Sequence, residues 1–269
     1  MNDNWGDKAR FGIFIVGSEA VPEAEWWAMA PPGISIHAAR VTARAPWARW
    51  NAEKSEVVLE PDLERGARQF AAMRLSAIVV AHTSSSVIGG DGWDEAVVAR
   101  LSQIIGGTTR VTTNGIDCIE ALRHCGAKRP FVVLPPWFDP PFAERATAYL
   151  NERGFAVSGH LIQIPDPKWR NVAPGELYGR FMHLEQRIDD LADQIMAGCP
   201  AAADAVLIAG TGFRCAAVLD ALERALDRPV ISANQASLWN CLRLSGCFLS
   251  ITGYGRLLRG EALPQGNRI

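Results

Sequence analysis

The stretch Leu75–Ser86, LSAIVVAHTSSS, decides the fold class of this chain. An apolar run stops at His82, and a row of hydroxyl residues follows it directly. A short apolar run bounded in this way predicts a buried strand of a parallel sheet, here over residues 77–81. Ligands of parallel α/β sheets bind beyond the carboxyl ends of the strands. The histidine and the hydroxyl residues therefore leave the strand where a binding site is expected.

On both sides of this stretch, short apolar runs alternate with amphipathic segments. The apolar runs, most of them bounded by Gly, Pro, Ser or Thr, predict strands over residues 12–16, 34–41, 77–81, 131–134, 156–162, 205–209 and 230–232. The amphipathic segments predict helices over residues 63–75, 95–105, 115–126, 144–154, 185–198, 216–226 and 236–246. This alternation predicts an α/β protein with mostly parallel sheets.

The pattern of the opening stretch occurs a second time in the chain. Residues 203–214, ADAVLIAGTGFR, also form an apolar run that ends in Ala, followed by one variable residue, then by Thr and a small residue. A helical pattern follows each copy. Two such units predict two similar lobes with one cleft between them.

The composition argues against binding to nucleic acid or to a membrane surface. A net charge of -2 over 269 residues provides no broad basic surface for nucleic acid or for a membrane. No apolar stretch reaches the roughly 18 residues of a membrane span, and the charged start MNDNWGDKAR lacks a secretory apolar region. We therefore expect a cytoplasmic protein that binds neither nucleic acid nor membrane. A homo-oligomer remains open.

Several well-known motifs are absent from the sequence. The six cysteines form no CxxC pair and no His/Cys cluster with zinc spacing, so we expect free, mostly buried thiols and no metal. There is no G-x-G-x-x-G after a strand, no P-loop and no G-x-S-x-G elbow. These absences argue against nicotinamide, ATP and serine-hydrolase chemistry.

The loop after the predicted strand 77–81 is the first candidate site. Backbone N–H groups at a helix start, together with the hydroxyls of Thr83 and Ser84, form a cradle for a carboxylate or enolate oxygen. The alternative is that these hydroxyls only cap the following helix. His82 is a candidate acid or base near neutral pH, or else a histidine satisfied by hydrogen bonds at a strand end.

The loop Gly210–Arg214 is the second candidate site. Its glycines allow the backbone to approach a ligand closely, and Arg214 can clamp a carboxylate. A plain strand-to-helix turn with a solvated arginine explains the same residues.

The segment 16–27, VGSEAVPEAEWW, follows the first predicted strand and is the third candidate. Ser18 and Glu19 can face the cleft. Pro22 fits the first position of a helix, and a helix start with acids in its first turn explains the two later glutamates, but it does not explain Glu19.

Longer segments of the chain carry a family resemblance. They are residues 11–41, FGIFIVGSEAVPEAEWWAMAPPGISIHAARV; residues 82–86, HTSSS; residues 111–139, VTTNGIDCIEALRHCGAKRPFVVLPPWFD; and residues 210–246, GTGFRCAAVLDALERALDRPVISANQASLWNCLRLSG. Together they resemble the maleate cis-trans isomerase and arylmalonate decarboxylase branch of the aspartate/glutamate racemase superfamily. The resemblance covers roughly residues 11–246, and the last segment is the most specific.

The resemblance implies an architecture and a chemistry. The architecture is a pair of pseudo-symmetric flavodoxin-like lobes with an interlobe active-site cleft, which we divide as 1–113 plus 230–269 and 114–229. The family uses no cofactor. Two cysteines on opposite faces of the substrate act as acid, base or nucleophile, and a Thr/Ser loop holds a carboxylate.

This sequence departs from the family pattern where the chemistry lies. His82 and Gly210 stand at the two cysteine positions, Glu19 stands where the family has Asn, and Trp137 stands where it has Tyr. The carboxylate cradle is retained as Thr83, Ser84 and Ser86, and the resemblance adds Thr211 and Gly212 of the second loop. Ser18 and Trp137 complete the predicted substrate-binding set.

Three functions remain open at this point. The first is a cofactor-independent decarboxylase, lyase or isomerase that acts on a small carboxylate or carbonyl compound through an enolate-like intermediate, with His82 and Glu19 as catalytic residues. The second is a hydrolase of an amide, imide or ring carbonyl in the same cleft. The third is a binding protein for small carboxylates that has lost the chemistry.

Overall fold

The structure, a computed structural model, describes residues 4–260. The strands are β1 Ala9–Val16, β2 Ile34–Val41, β3 Ala48–Trp50, β4 Val57–Leu59, β5 Ala77–Val80, β6 Arg110–Thr113, β7 Pro130–Leu134, β8 Gly159–Ile162, β9 Ala205–Ile208 and β10 Val230–Ser232. The α-helices are α1 Val21–Met29, α2 Pro61–Ala71, α3 Thr83–Gly89, α4 Trp93–Ile105, α5 Asn114–His124, α6 Pro140–Asn151, α7 Pro174–Leu177, α8 Ile188–Gly198, α9 Leu219–Leu226, α10 Ala233–Leu244 and α11 Arg256–Arg259.

The main strands form two parallel four-stranded sheets with the same topology. The first sheet has the order β2-β1-β5-β6 and the second has the order β8-β7-β9-β10. The strand that carries the repeated sequence is one of the two inner strands of each sheet, β5 in the first and β9 in the second. The predicted α/β fold with two pseudo-symmetric lobes is confirmed. Strands β3 and β4 form a separate antiparallel ribbon.

Helices cover both faces of each sheet, which explains the uninterrupted apolar runs. All residues of β5, β7 and β9 are buried. The first sheet packs against α2 and α4 on one face and against α1 and α10 on the other. The second sheet packs against α5 and α6 on one face and against α8 and α9 on the other. Strands buried on both faces need apolar residues at every position.

Two helices cross from one sheet to the other. α5 follows β6 of the first sheet but packs in the core of the second, whereas α10 follows β10 of the second sheet and packs in the core of the first. The two helices also lie against each other. This exchange of helices holds the two sheets together on either side of one cleft.

The predicted lobe boundary at residue 230 is wrong for one strand. β10 was assigned to the first lobe, but Val230–Ser232 pairs with β9 in the second sheet. The chain crosses to the first sheet only with α10. A strand of three residues, VIS, fits either sheet equally well, so the sequence could not choose between the two sheets. The remaining division into lobes stays a prediction, and its ends 1–3 and 261–269 lie outside the described residues.

The predicted strands and helices are all present, with shifted ends. α1 begins at Val21, so Pro22 occupies the second helical position rather than the first. The pair β3–β4 and the strand β6 were not predicted, because the former are only three residues long and the latter, RVTT, is largely polar. The helices α7 and α11, each of four residues, were also missed.

The cysteines are free thiols, as the sequence predicts. Cys118, Cys125, Cys215 and Cys241 are buried, while Cys199 and Cys247 are partly accessible. Between residues 4 and 260, no helix has the length and apolar character needed to cross a membrane.

Candidate active site

One cavity of about 500 Å³ opens where strands of both sheets end. The loops after β1, β5, β7 and β9 all contribute to its lining. The predicted site residues that line it are Ser18, Glu19, His82, Thr83, Ser84, Trp137, Gly210, Thr211 and Gly212. Phe138, Phe142 and Ile88 add apolar wall to the cavity. The structure thus brings together the three loops that the sequence treats as candidate sites.

Ser86 is the predicted site residue that does not line this cavity. It is buried, and its hydroxyl donates to Asp94 Oδ1 at 2.7 Å and accepts the N–H of Gly115 at 3.2 Å. The prediction that Ser86 belongs to the ligand cradle is corrected here. The helical turn that begins at Thr83 directs Ser86 into the protein interior.

One aromatic contact and one hydrogen bond hold His82 at the cavity. Its ring stacks on Trp47 with 4.0 Å between the ring centroids, and its Nδ1 lies 2.8 Å from Ser85 Oγ. Ser85 Oγ also accepts the backbone N–H of Trp47 at 2.9 Å. In the tautomer in which the Ser85 hydroxyl donates to Nδ1, the ring proton of His82 lies on Nε2.

The charge state of His82 differs from the sequence-based expectation. Desolvation by the surrounding protein lowers its pKa to about 3, so the ring is neutral at physiological pH. With its ring proton on Nε2, the neutral imidazole of His82 can donate a hydrogen bond there, but a pKa of about 3 makes it a weak base. The geometry therefore suits a hydrogen-bond donor better than the acid or base near neutral pH that the sequence suggested.

Burial shifts the pKa of Glu19 upward, whereas it shifts that of His82 downward. Its side chain is 5% exposed, and burial raises the pKa of its carboxyl to about 7. Its interactions with Tyr178 and Thr211 oppose this effect, and Thr211 Oγ1 lies 3.4 Å from Glu19 Oε2. Arg40 donates to the backbone oxygen of Glu19 at 2.7 Å and so fixes the loop. A carboxyl with a pKa near 7 can both give and accept a proton at physiological pH.

The hydroxyl of Thr83 joins the two candidate loops rather than facing a ligand. It donates to Asn114 Oδ1 at 2.6 Å and accepts the N–H of Gly210 at 3.2 Å. The first N–H groups of a helix have no acceptor within the helix. The backbone N–H groups of Thr83 and Ser84, at the start of α3, and the Ser84 hydroxyl are thus the donors available to a ligand oxygen.

Gly210 adopts a backbone conformation that disfavours other residues. Its φ is +108°, and a Cβ atom would lie 3.2 Å from Pro135 Cγ. The side chain missing from this family position could therefore not be restored without a change of the backbone.

We expect Gly210→Ala to lower the free energy of unfolding by about 1–3 kcal/mol, because alanine is strained at this φ. Urea unfolding measures the loss. Gly198→Ala, at the end of α8, is the matched control, since a Cβ atom there meets only ordinary contacts near 4 Å. Equal losses in the two variants would contradict the strain.

Glu25 is a buried carboxylate with a structural role that the sequence did not show. It accepts the N–H groups of Cys215 and Ala216 at 2.6 and 2.7 Å, and the Asn234 amide at 2.8 Å. The interpretation of Glu25 as a plain first-turn acid is therefore wrong. Its bonds fix the chain that follows Gly212 against α1.

Tyr178 is a cavity residue that the sequence analysis missed. It follows α7 in the long connection between β8 and α8. The predicted elements leave residues 163–184 without structure, and connections of this length inside a compact domain are commonly functional. That length was the available signal.

The side chains in the described part of the chain offer no metal centre. No group of three or more His, Cys, Asp or Glu residues there is placed to share an ion. The cavity contains Glu19 and Asp139 as carboxyls and Arg44 as an exposed cation.

The paired parallel sheets and the cavity between them define a two-lobed α/β protein with one site between its lobes. The family model described as arylmalonate decarboxylase matches residues 51–258, and the chain belongs to that family. The resemblance that the sequence carries is thereby confirmed.

The chain is also similar to individual proteins in sequence and in fold. The chain is 25% identical over 266 residues to the maleate isomerase of Nocardia farcinica, covering 94% of this chain and 96% of that protein. The maleate isomerase Iso from Pseudomonas putida S16 has a similar structure, with a TM-score of 0.78, 21% identity and coverage of 94% and 98%. An arylmalonate decarboxylase structure gives a TM-score of 0.70, 18% identity and coverage of 94% and 100%.

Proposed function

We propose that this protein is a cofactor-independent decarboxylase or related lyase that acts on a small carboxylate through an enolate-like intermediate. One observation carries the proposal: a buried carboxyl with a pKa of about 7, Glu19, lines the same cavity as Thr83 and Ser84, whose backbone N–H groups begin α3 and have no acceptor within that helix. A proton carrier and an oxyanion site are the two elements that such a reaction requires.

In the proposed reaction, the bond between the α-carbon and a carboxylate breaks and CO₂ leaves. The electron pair moves into the adjacent carboxyl or carbonyl group, whose oxygen gains negative charge. The N–H groups of Thr83 and Ser84 and the Nε2–H of His82 stabilise that oxygen. Protonated Glu19 then gives its proton to the α-carbon, and water restores the proton to Glu19.

The cavity favours this reaction over isomerisation through a thiol adduct. Among the described residues that line it, none is cysteine. A Nocardia farcinica maleate cis-trans isomerase structure contains a covalently bound succinylcysteine intermediate, which needs a thiol at the reacting carbon. Decarboxylation needs one proton carrier only, and Glu19 suffices.

The walls of the cavity indicate an apolar substituent on the substrate. Trp137, Phe138, Phe142 and Ile88 surround a space of about 500 Å³. Apolar walls with a few convergent polar groups are typical of small-molecule sites. The polar groups orient the carboxylate, and the aromatic walls accept the rest of the molecule.

Proton NMR in heavy water tests the proposal with wild-type protein and His82→Ala. The panel contains substituted malonates, unsaturated diacids, 3-hydroxy acids and cyclic imides. We expect a substituted malonate to lose CO₂ and gain one deuterium at the α-carbon. His82→Ala should lower kcat/KM by about 10²–10³-fold, as expected for the loss of one oxyanion donor.

Other outcomes of this experiment contradict the proposal. Hydrolysis of an imide with labelled water oxygen in the product would establish the hydrolase. Thermal stabilisation by a panel acid, with no conversion of any compound, would establish a binding protein. Unchanged turnover in His82→Ala would remove His82 from the oxyanion site.

A further inference from the structure

Tyr178 enters the cavity from an irregular segment outside the two sheets. Residues 163–187 connect β8 to α8 and contain only α7 and two short 3₁₀ turns, Pro167–Trp169 and Met182–Leu184. α7 ends immediately before Tyr178, which lines the cavity together with Gly175. This segment therefore contributes a side chain to the site without belonging to any of the strand-end loops.

The ring of Tyr178 is held on three sides. It stacks on His183 with 4.5 Å between centroids and an interplanar angle of 16°, and it meets the edge of Trp137 at 5.3 Å. On the third side, a Cβ atom at Gly212 would lie 3.1 Å from its Cε2 atom and 2.5 Å from Glu19 Oε1. Gly212 thus leaves the space in which Tyr178 and Glu19 lie together.

The Tyr178 hydroxyl is buried but has no well-formed hydrogen bond within residues 4–260. It lies beside the carboxyl of Glu19 and the hydroxyl of Ser18. Burial and the neighbouring Glu19 raise the pKa of Tyr178, so the phenol stays protonated and acts as a donor. An unsatisfied buried donor at a cavity is costly unless a ligand or a change of ionisation supplies its acceptor.

We propose that Tyr178 is a further catalytic residue, whose hydroxyl donates to Glu19 when that carboxyl is ionised and to an anionic ligand oxygen when it is protonated. The inference rests on the proposed function. The proposal couples ligand binding to protonation of Glu19. An anion that accepts the hydrogen bond of the Tyr178 hydroxyl removes that bond from the ionised Glu19 carboxylate. Substrate binding therefore favours the protonated Glu19 that the reaction consumes.

The other charged and titratable groups around Glu19 do not offer the hydrogen bond that we assign to Tyr178. Arg40, on β2, is the cation that lowers the pKa of Glu19, and it also pairs with Glu23. Burial lowers the pKa of His183, behind the tyrosine ring, so that this imidazole stays neutral. Across the cavity lie neutral His82, exposed Arg44 and Asp139, whose carboxylate already accepts the Phe142 N–H at the start of α6.

The test compares Tyr178→Phe with wild-type protein by two measurements that need no turnover. The first is the pH titration of the Glu19 carboxyl, followed by carbon NMR of protein labelled in glutamate. Loss of a donor to the ionised form should raise the pKa of Glu19 by at least about half a unit. The second is binding of phenylacetate, for which we expect Kd to rise about tenfold.

Tyr254→Phe is the matched control, because its hydroxyl donates to Ala28 O outside the cavity. It should change neither the Glu19 titration nor the Kd. If Tyr178→Phe also leaves both unchanged, the proposal for Tyr178 is overturned, whatever the reaction. If the titration and Kd shift but no malonate is decarboxylated, the role of Tyr178 beside Glu19 stands and the proposed reaction falls.

Discussion

Replacement of Glu19 by glutamine is expected to lower kcat/KM by about 10²–10⁴-fold, the range for loss of a general acid or base. Glutamine keeps the shape of the side chain and can still face Thr211, but it cannot give a proton to the α-carbon. The measurement is decarboxylation of the best malonate from the substrate panel. Glu53→Gln, at an exposed position between β3 and β4, is the control and should retain wild-type activity.

The pH dependence of the wild-type rate identifies the same group. If protonated Glu19 is the donor, kcat/KM falls as the pH rises above about 7, where burial has placed the pKa of Glu19. His82 gives no limb near neutral pH, because its pKa is about 3. A limb near pH 7 that persists in Glu19→Gln would assign the proton to another residue.

Stability measurements test Glu19 without any substrate. Its pKa is raised from 4.5 to about 7 on folding, so the folded state binds the proton more tightly. The stabilisation from this proton is complete below about pH 4.5 and is lost as the pH rises through 7. Glu19→Gln lacks this loss, so the variant should gain stability relative to wild type between pH 5 and 8. A constant difference in Tm across this range would show that Glu19 is not buried as described.

The second large effect is expected from Asp94→Asn, which should lower the free energy of unfolding by about 3–5 kcal/mol. Asp94 is fully buried in α4 and accepts the hydroxyls of Ser86, Thr113 and Tyr149 at 2.6–2.8 Å. Arg153 lies 3.7 Å from its Oδ2. Asparagine places an amide donor among these donors and removes the negative charge that faces the arginine.

The same substitution weakens the contact between the lobes. Tyr149 lies in α6 of the second lobe, and Arg153 lies in the turn that follows α6. Urea unfolding measures the effect. Glu95→Gln, at the next residue of α4 and exposed, is the control and should change stability by less than about 0.5 kcal/mol. If the two variants are equally stable, Asp94 does not hold the lobes together.

The sequence was sufficient for the features that depend on local pattern. Apolar runs of strand length alternating with helical segments specify parallel sheets covered by helices on both faces, and the repeated strand-and-loop pattern at 75–86 and 203–214 specifies two like lobes. Because parallel strands end at one edge of a sheet, the loops carrying Glu19 and His82 could be placed at one edge, and the family resemblance added the loop carrying Gly210 on the other side of the cleft. The structure brings these loops to one cavity.

Features that depend on distant parts of the chain could not be read in this way. Ser86 is a serine close to Ser84 in the same segment. Only the packing of α4 shows that the partner of Ser86 is Asp94. Tyr178 lies in a segment with no periodicity, and the strand β10 is too short to reveal which sheet it joins. Sequence pattern gives no information on such partners.

The sequence by itself thus determined the two-lobed α/β fold, the edge at which the candidate site lies and most of the predicted residues that line its cavity. Only the tertiary structure decided what these residues can do. Desolvation raises the pKa of Glu19 to about 7 and lowers the pKa of His82 to about 3, the reverse of the order of unperturbed side chains. The physical reason is that periodicity is set by neighbours along the chain, whereas ionisation is set by the solvent and charges that folding removes or brings close.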